Sequence, residues 1–188
     1  MKKVQSQVME KDQVCILLFE ARNYNLAMID VVKQLQNKKI CYVSLNKTYG
    51  VLMRDFKKNG IESENIFVVD TKTGEIEPSE KSKSSSVCYV SSPAALTELS
   101  IVISYILKQD HFDYLIFDSL STLWLYDKET YNGVAKFIIY MMNKIKSSNI
   151  RALFTVIKSE NHSFLVEEAS SCADLTIEYK NGIMHLLR

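Results

Sequence analysis

The chain has 188 residues, 47% of them hydrophobic and 24% charged, which suits one compact globular domain with a sizeable core. A net charge of +1 provides no global field for nucleic acid or an anionic membrane. No stretch approaches the roughly 18 apolar residues that span a bilayer. The basic start Met1-Lys2-Lys3 is not followed by a signal-like apolar run, so a cytoplasmic protein is expected.

In chain order, Val14–Phe19 is a continuous apolar run, as expected of a strand covered on both faces. Helical spacing of Met28, Val31, Val32 and Leu35 predicts a helix over 26–36, with Asn23 or Asn25 as its cap. A second strand is expected over 40–45. Thr48 then caps a helix that Gly60 ends in a left-handed conformation. Ile66–Val69 reads as the third strand. The segment 71–86 is rich in Ser, Lys, Glu and Thr and reads as an exposed, mobile loop.

Val87–Val90 reads as a short strand, and Ser92-Pro93 as the opening of a helix that runs to about Lys108. Tyr114–Phe117 is a strand that ends in Asp118. After Asp127, an apolar stripe of Val134, Phe137, Ile138, Met141 and Ile145 marks an amphipathic helix. Ala152–Ile157 is another buried strand, followed by a short helix over 166–171. Leu175–Lys180 and Ile183–Leu187 read as a hairpin joined by Asn181-Gly182. Strands alternating with helices imply a three-layer α/β/α fold, its mostly parallel central sheet finished by this antiparallel hairpin.

Cys15, Cys41 and Cys88 fall in predicted strands and Cys172 lies near the end; none forms a CxxC pair, and buried thiols are the expected state. His111, His162 and His185 are scattered without metal-ligand spacing. In an open parallel sheet, ligands bind beyond the carboxyl ends of the strands. Glu20, Asp118 and Lys158 stand at such ends. An aspartate after four apolar residues is suited to holding the water shell of a nucleotide-bound magnesium. The phosphate side would be the turn Glu20-Ala21-Arg22-Asn23-Tyr24-Asn25. It has no glycine, lysine, serine or threonine to cradle a phosphate. Lys47-Thr48 is preceded by no glycine and is not a phosphate loop either.

Three stretches resemble the KaiC-like branch of the RecA-type ATPases. Phe112-Asp113-Tyr114-Leu115-Ile116-Phe117-Asp118-Ser119-Leu120-Ser121 is similar to that family's Walker B strand. Phe137 to Asn149 is similar to the helix and turn before its next strand, which Ala152–Thr155 matches. Val166-Glu167-Glu168, followed by Ala173–Ile177, is similar to the stretch before its terminal strands. The resemblance covers about residues 14–188 and implies a single RecA-like domain over 1–188. It also implies that Asp118 and Ser119 are the remnant of a Walker B site. The family's Walker A residues have no counterpart here, and its acidic residues after the second strand correspond to Asn46 and Lys47. An amide is a poor general base and a protonated lysine is none.

The resulting expectation is a non-catalytic domain, a pseudo-ATPase without cofactor or metal. It would act as a regulator or scaffold by contacting a protein partner, itself or an active KaiC-like ATPase. The helix around Phe137, Tyr140, Met141 and Met142 offers a contact face. One alternative is a sensor that binds a nucleotide or other small ligand in a crevice formed by Glu20, Arg22, Asn46, Lys47 and Lys158 with Asp118 and Ser119. Another is a divergent ATPase using ATP and magnesium. A recombinase-type DNA module is opposed by the lack of a basic run interleaved with aromatics, since Lys81 and Lys83 lie beside Glu75, Glu77 and Glu80. Composition and resemblance together point to an archaeal source.

Overall fold

The computed structural model describes residues 13–76, 85–109, 112–126, 131–158, 163–180 and 183–187. The first half holds β1 (Val14–Phe19), a 3-10 turn (Ala21–Asn23), α1 (Tyr24–Gln34), β2 (Ile40–Ser44), α2 (Tyr49–Lys58), β3 (Ile66–Asp70), α3 (Thr73–Ile76) and β4 (Val87–Tyr89). The second half holds α4 (Leu96–Gln109), β5 (Tyr114–Asp118), α5 (Leu120–Tyr126), α6 (Tyr131–Lys146), β6 (Arg151–Ile157), α7 (Ser163–Cys172), β7 (Leu175–Lys180) and β8 (Ile183–Leu186).

Among the described residues, eight strands form one sheet in the order β4-β3-β2-β5-β6-β1-β7-β8. All neighbours run parallel except β7 and β8, which form the expected antiparallel hairpin. Its Asn181-Gly182 turn lies outside the described residues. β1, β2 and β5 are buried at every position, as strands between two helical layers must be. The two-residue period of β1 serves both layers. Val14, Ile16 and Leu18 join a cluster with Leu99 and Ile103 of α4, Leu120 of α5 and Ile138 and Met141 of α6. Cys15, Leu17 and Phe19 join Val31 and Val32 of α1 and Leu52 and Phe56 of α2. Each large apolar side chain buried this way contributes about 1.5–3 kcal/mol.

Several local expectations hold. Thr48 Oγ1 accepts from Val51 N at 3.4 Å and caps α2, and Gly60 has φ +68°. The stripe on α6 faces the core, and no member is more than 6% exposed. Met142 is buried with it, so of the expected contact residues on this helix only Tyr140 points outward.

Other expectations are corrected. α1 starts two residues early, through the 3-10 turn in which Asn23 N bonds Glu20 O, and the Asn23 side chain does not cap it. α4 starts at Leu96, because Ser92 first makes a turn that takes the Ala94 and Ala95 N–H groups. The short α5 was not foreseen, and α7 is longer than expected. Residues 71–74 are packed against the fold, and Glu75 and Ile76 are exposed. Thr71 and Thr73 are buried, and a Cβ at Gly74 would lie 2.5 Å from Val90 O, which only glycine avoids. Residues 77–84 of that segment, including Lys81 and Lys83, lie outside the described residues, as do His111 and His162.

Candidate functional site

At the carboxyl ends of the central strands lies a buried polar cluster centred on Asp118. The aspartate ends β5 and is 2% exposed. Strand alternation puts its side chain on the same face as Tyr114 and Ile116, towards the α1–α2 layer. Two tyrosines meet it there. Tyr24, the first residue of α1, donates its hydroxyl to Oδ1, and Tyr42, in the middle of β2, donates to Oδ2. Asn46, in the loop after β2, donates from Nδ2 to Oδ1 at 2.8 Å.

The cluster continues outward from the carboxylate. The Tyr24 hydroxyl lies 2.8 Å from Thr155 Oγ1 of β6. The Asn46 amide oxygen accepts from Thr122 of α5, whose hydroxyl is 3.3 Å from that of the buried Ser119. Leu45 N bonds Asp118 O at 2.7 Å, and the Asp118–Ser119 peptide is cis. Aromatic packing fixes both phenols. Tyr24 meets Phe19 edge-on at 5.5 Å between centroids, and Tyr42 meets Phe56 edge-on at 5.7 Å.

The electrostatics follow from burial. Desolvation pushes the Asp118 carboxyl above the usual carboxylate range, against the hydrogen bonds from Tyr24 and Tyr42, the charge of Lys47 and the bond from Asn46. Desolvation and then the negative charge of Asp118 push both phenols well above their ordinary value. The tyrosines therefore stay protonated and remain donors. Every polar atom in the cluster has a partner, and no described buried side-chain polar atom lacks one.

Of the residues singled out in the sequence, Asp118, Ser119 and Asn46 come together here. The charged ones do not join them. Lys47 Nζ bonds Asp55 Oδ2 at 2.7 Å, and Lys158 Nζ bonds Glu178 Oε1 at 2.6 Å. Arg22 pairs with Glu20 at 3.1 Å, and Lys180 approaches the other Glu20 oxygen at 4.0 Å. Tyr24, Tyr42, Thr122 and Thr155 were not singled out. Tyr42 carried a readable signal, since a phenol inside an otherwise apolar buried strand requires a hydrogen-bond acceptor.

Comparison with known proteins supports the architecture. No family model and no curated protein matches the chain. Among solved structures, it is similar to a KaiC-like protein from the hyperthermophilic archaeon Pyrococcus horikoshii, with a TM-score of 0.60 and 12% identity. The match covers 93% of this chain and 74% of the other. At that identity the likeness speaks for the fold, and with the sheet described above it gives this chain the α/β architecture of a KaiC-like RecA fold.

Proposed function

We propose that this chain is a non-catalytic KaiC-like domain that acts through contacts with other proteins, with its Walker B aspartate turned into a structural clasp. The observation that carries the reading is the capture of both Asp118 oxygens by Tyr24, Tyr42 and Asn46 in a buried cluster. A magnesium-bound nucleotide does not fit these residues. Its water shell would have to displace two phenols that are held by aromatic packing. Tyr24 occupies the start of α1, where backbone amides would otherwise face a phosphate.

The preceding turn, Glu20 to Asn23, adds a carboxylate and no glycine. Phosphoryl transfer depends on positioning and charge stabilisation, and this edge of the sheet supplies neither. The sensor alternative needs cations ready for an anionic ligand, whereas Arg22, Lys47 and Lys158 are each committed to a carboxylate.

The test is the melting temperature with and without millimolar Mg-ATP. A ligand at 100 times its Kd adds about 2.7 kcal/mol. The expected result is no shift and no phosphate release. A clear upward shift would refute the reading, and phosphate release lost in Asp118→Asn would establish an ATPase.

A further inference from the structure

We infer that the outward face of α4 and α6 is a docking surface for an acidic amphipathic segment of a partner protein. The inference rests on the protein-contact reading above and names the partner's chemistry. Of the two helical layers, this one exposes more large apolar side chains. Ile101 is 63% exposed, Tyr105 65% and Tyr140 49%, whereas the described part of α1 and α2 exposes only Leu26 to that degree.

The two helices form one continuous surface. Lys144 of α6 reaches Ser104 of α4 at 2.5 Å and lies over the Tyr140 ring at 5.4 Å. Helical spacing puts Lys136 on the same side as Tyr140, and Ile101, Tyr105 and Lys108 along one side of α4.

The described charge on this face is mostly positive, with Glu98, on the same side of α4 as Ile101, its described carboxylate. Lys108, Lys136 and Lys144 stand on the face, and none of the three is in an ion pair among the described residues. Three cations around exposed aromatic and aliphatic side chains complement a segment that is acidic on one side and apolar on the other.

The head of the face supplies a place for an apolar anchor. A groove of about 710 Å³ lies between α4, α5 and the start of α6, with Leu96, Ile101, Val102, Leu123 and Val134 among its walls. Its one carboxylate among the described residues, Glu98, is engaged by Ser91. A concave apolar slot at the head of the two helices suits a helix laid in a groove.

The probe is a synthetic amphipathic helix with leucines on one side and glutamates on the other, titrated into the full chain by fluorescence anisotropy. The controls are a scrambled peptide of the same composition and an analogue with lysine in place of glutamate. The glutamate helix should bind saturably, and both controls at least about tenfold more weakly. Ile101→Asp should weaken binding by a similar factor at an unchanged melting temperature. The triple variant Lys108→Glu/Lys136→Glu/Lys144→Glu should invert the preference towards the lysine analogue, a gain that misfolding does not produce.

Absent binding, equal binding of all three peptides, or an uninverted preference overturns the proposal. So does tighter binding of phosphatidylserine vesicles or single-stranded DNA that the triple variant abolishes. Self-association abolished by that variant would assign the face to a second copy and overturn it too. The peptide result is independent of the Mg-ATP result, so failure of the surface and failure of the clasp are read separately.

Discussion

Asp70 and Asp118 both end parallel strands of one sheet, and both are almost wholly buried. They are satisfied by different kinds of donor. Asp70 Oδ1 accepts from the backbone N–H groups of Lys72 and Thr73 at 2.7 and 2.9 Å. Its Oδ2 accepts from Tyr49 N and the Thr73 hydroxyl, both at 2.6 Å. It thereby caps α3 and fixes the start of α2, a role set by the path of the chain. Asp118 accepts from three side chains, one at the start of α1 and two from β2 and the loop after it. A backbone amide can only donate, whereas a hydroxyl can turn and accept. The first carboxylate is tied into the backbone; the second sits in a network that side chains alone define.

That contrast orders the expected effects of substitution. Asp70→Asn should cost the most, about 2–3 kcal/mol, because its amide must face a buried N–H that cannot reverse. For a chain of this length, a melting temperature lower by about 5–10 °C would show it. Tyr42→Phe should come next, at about 2 kcal/mol, since Tyr42 is the described donor to Oδ2. Tyr24→Phe should cost less, about 1 kcal/mol, because Asn46 still serves Oδ1. Equal costs for the two tyrosines, measured by denaturant unfolding, would break the distinction between the two oxygens.

Asp118→Asn should be the mildest, at or below about 1 kcal/mol, because the Tyr42 hydroxyl can turn to accept from the new amide. Its effect should depend on pH. Burial raises the folded-state pKa of Asp118, so between the unfolded and folded values the native state binds more protons. Wild-type stability relative to Asp118→Asn should rise as pH falls through the folded pKa, and level off below the ordinary carboxylate range. A relative loss of stability on acidification would mean that the carboxylate is held as a favoured anion and would contradict the desolvation argument.

The two aspartates also differ in how far the sequence reveals them. Asp118 stands out because it follows an apolar run and precedes Ser-Leu-Ser, and the strand it ends was legible from its uninterrupted hydrophobicity. Asp70 was hidden by the polar residues after it. Thr71-Lys72-Thr73 reads as solvated loop, yet both threonines hydrogen-bond inward, Thr71 to Ser44 O and Thr73 to Asp70. The strands, the stripe of α6, the cap at Thr48 and the terminal hairpin were legible because each rests on local periodicity or a single turn residue. α5 was not, since seven residues with Ser121 and Thr122 in the middle carry too little period, and both hydroxyls are spent on distant partners. The clasp needs Tyr24, Tyr42, Asn46 and Asp118 to meet across three segments, and no local pattern encodes that meeting.

A crystal grown with ATP and manganese, examined for anomalous scattering at the metal's absorption edge, addresses the role of Asp118 most directly. The clasp predicts no manganese peak within coordination distance of the Asp118 oxygens and the Tyr24 and Tyr42 hydroxyls still bonded to them. A manganese ion bound at Asp118, with the Tyr24 ring swung away from Phe19, would contradict it.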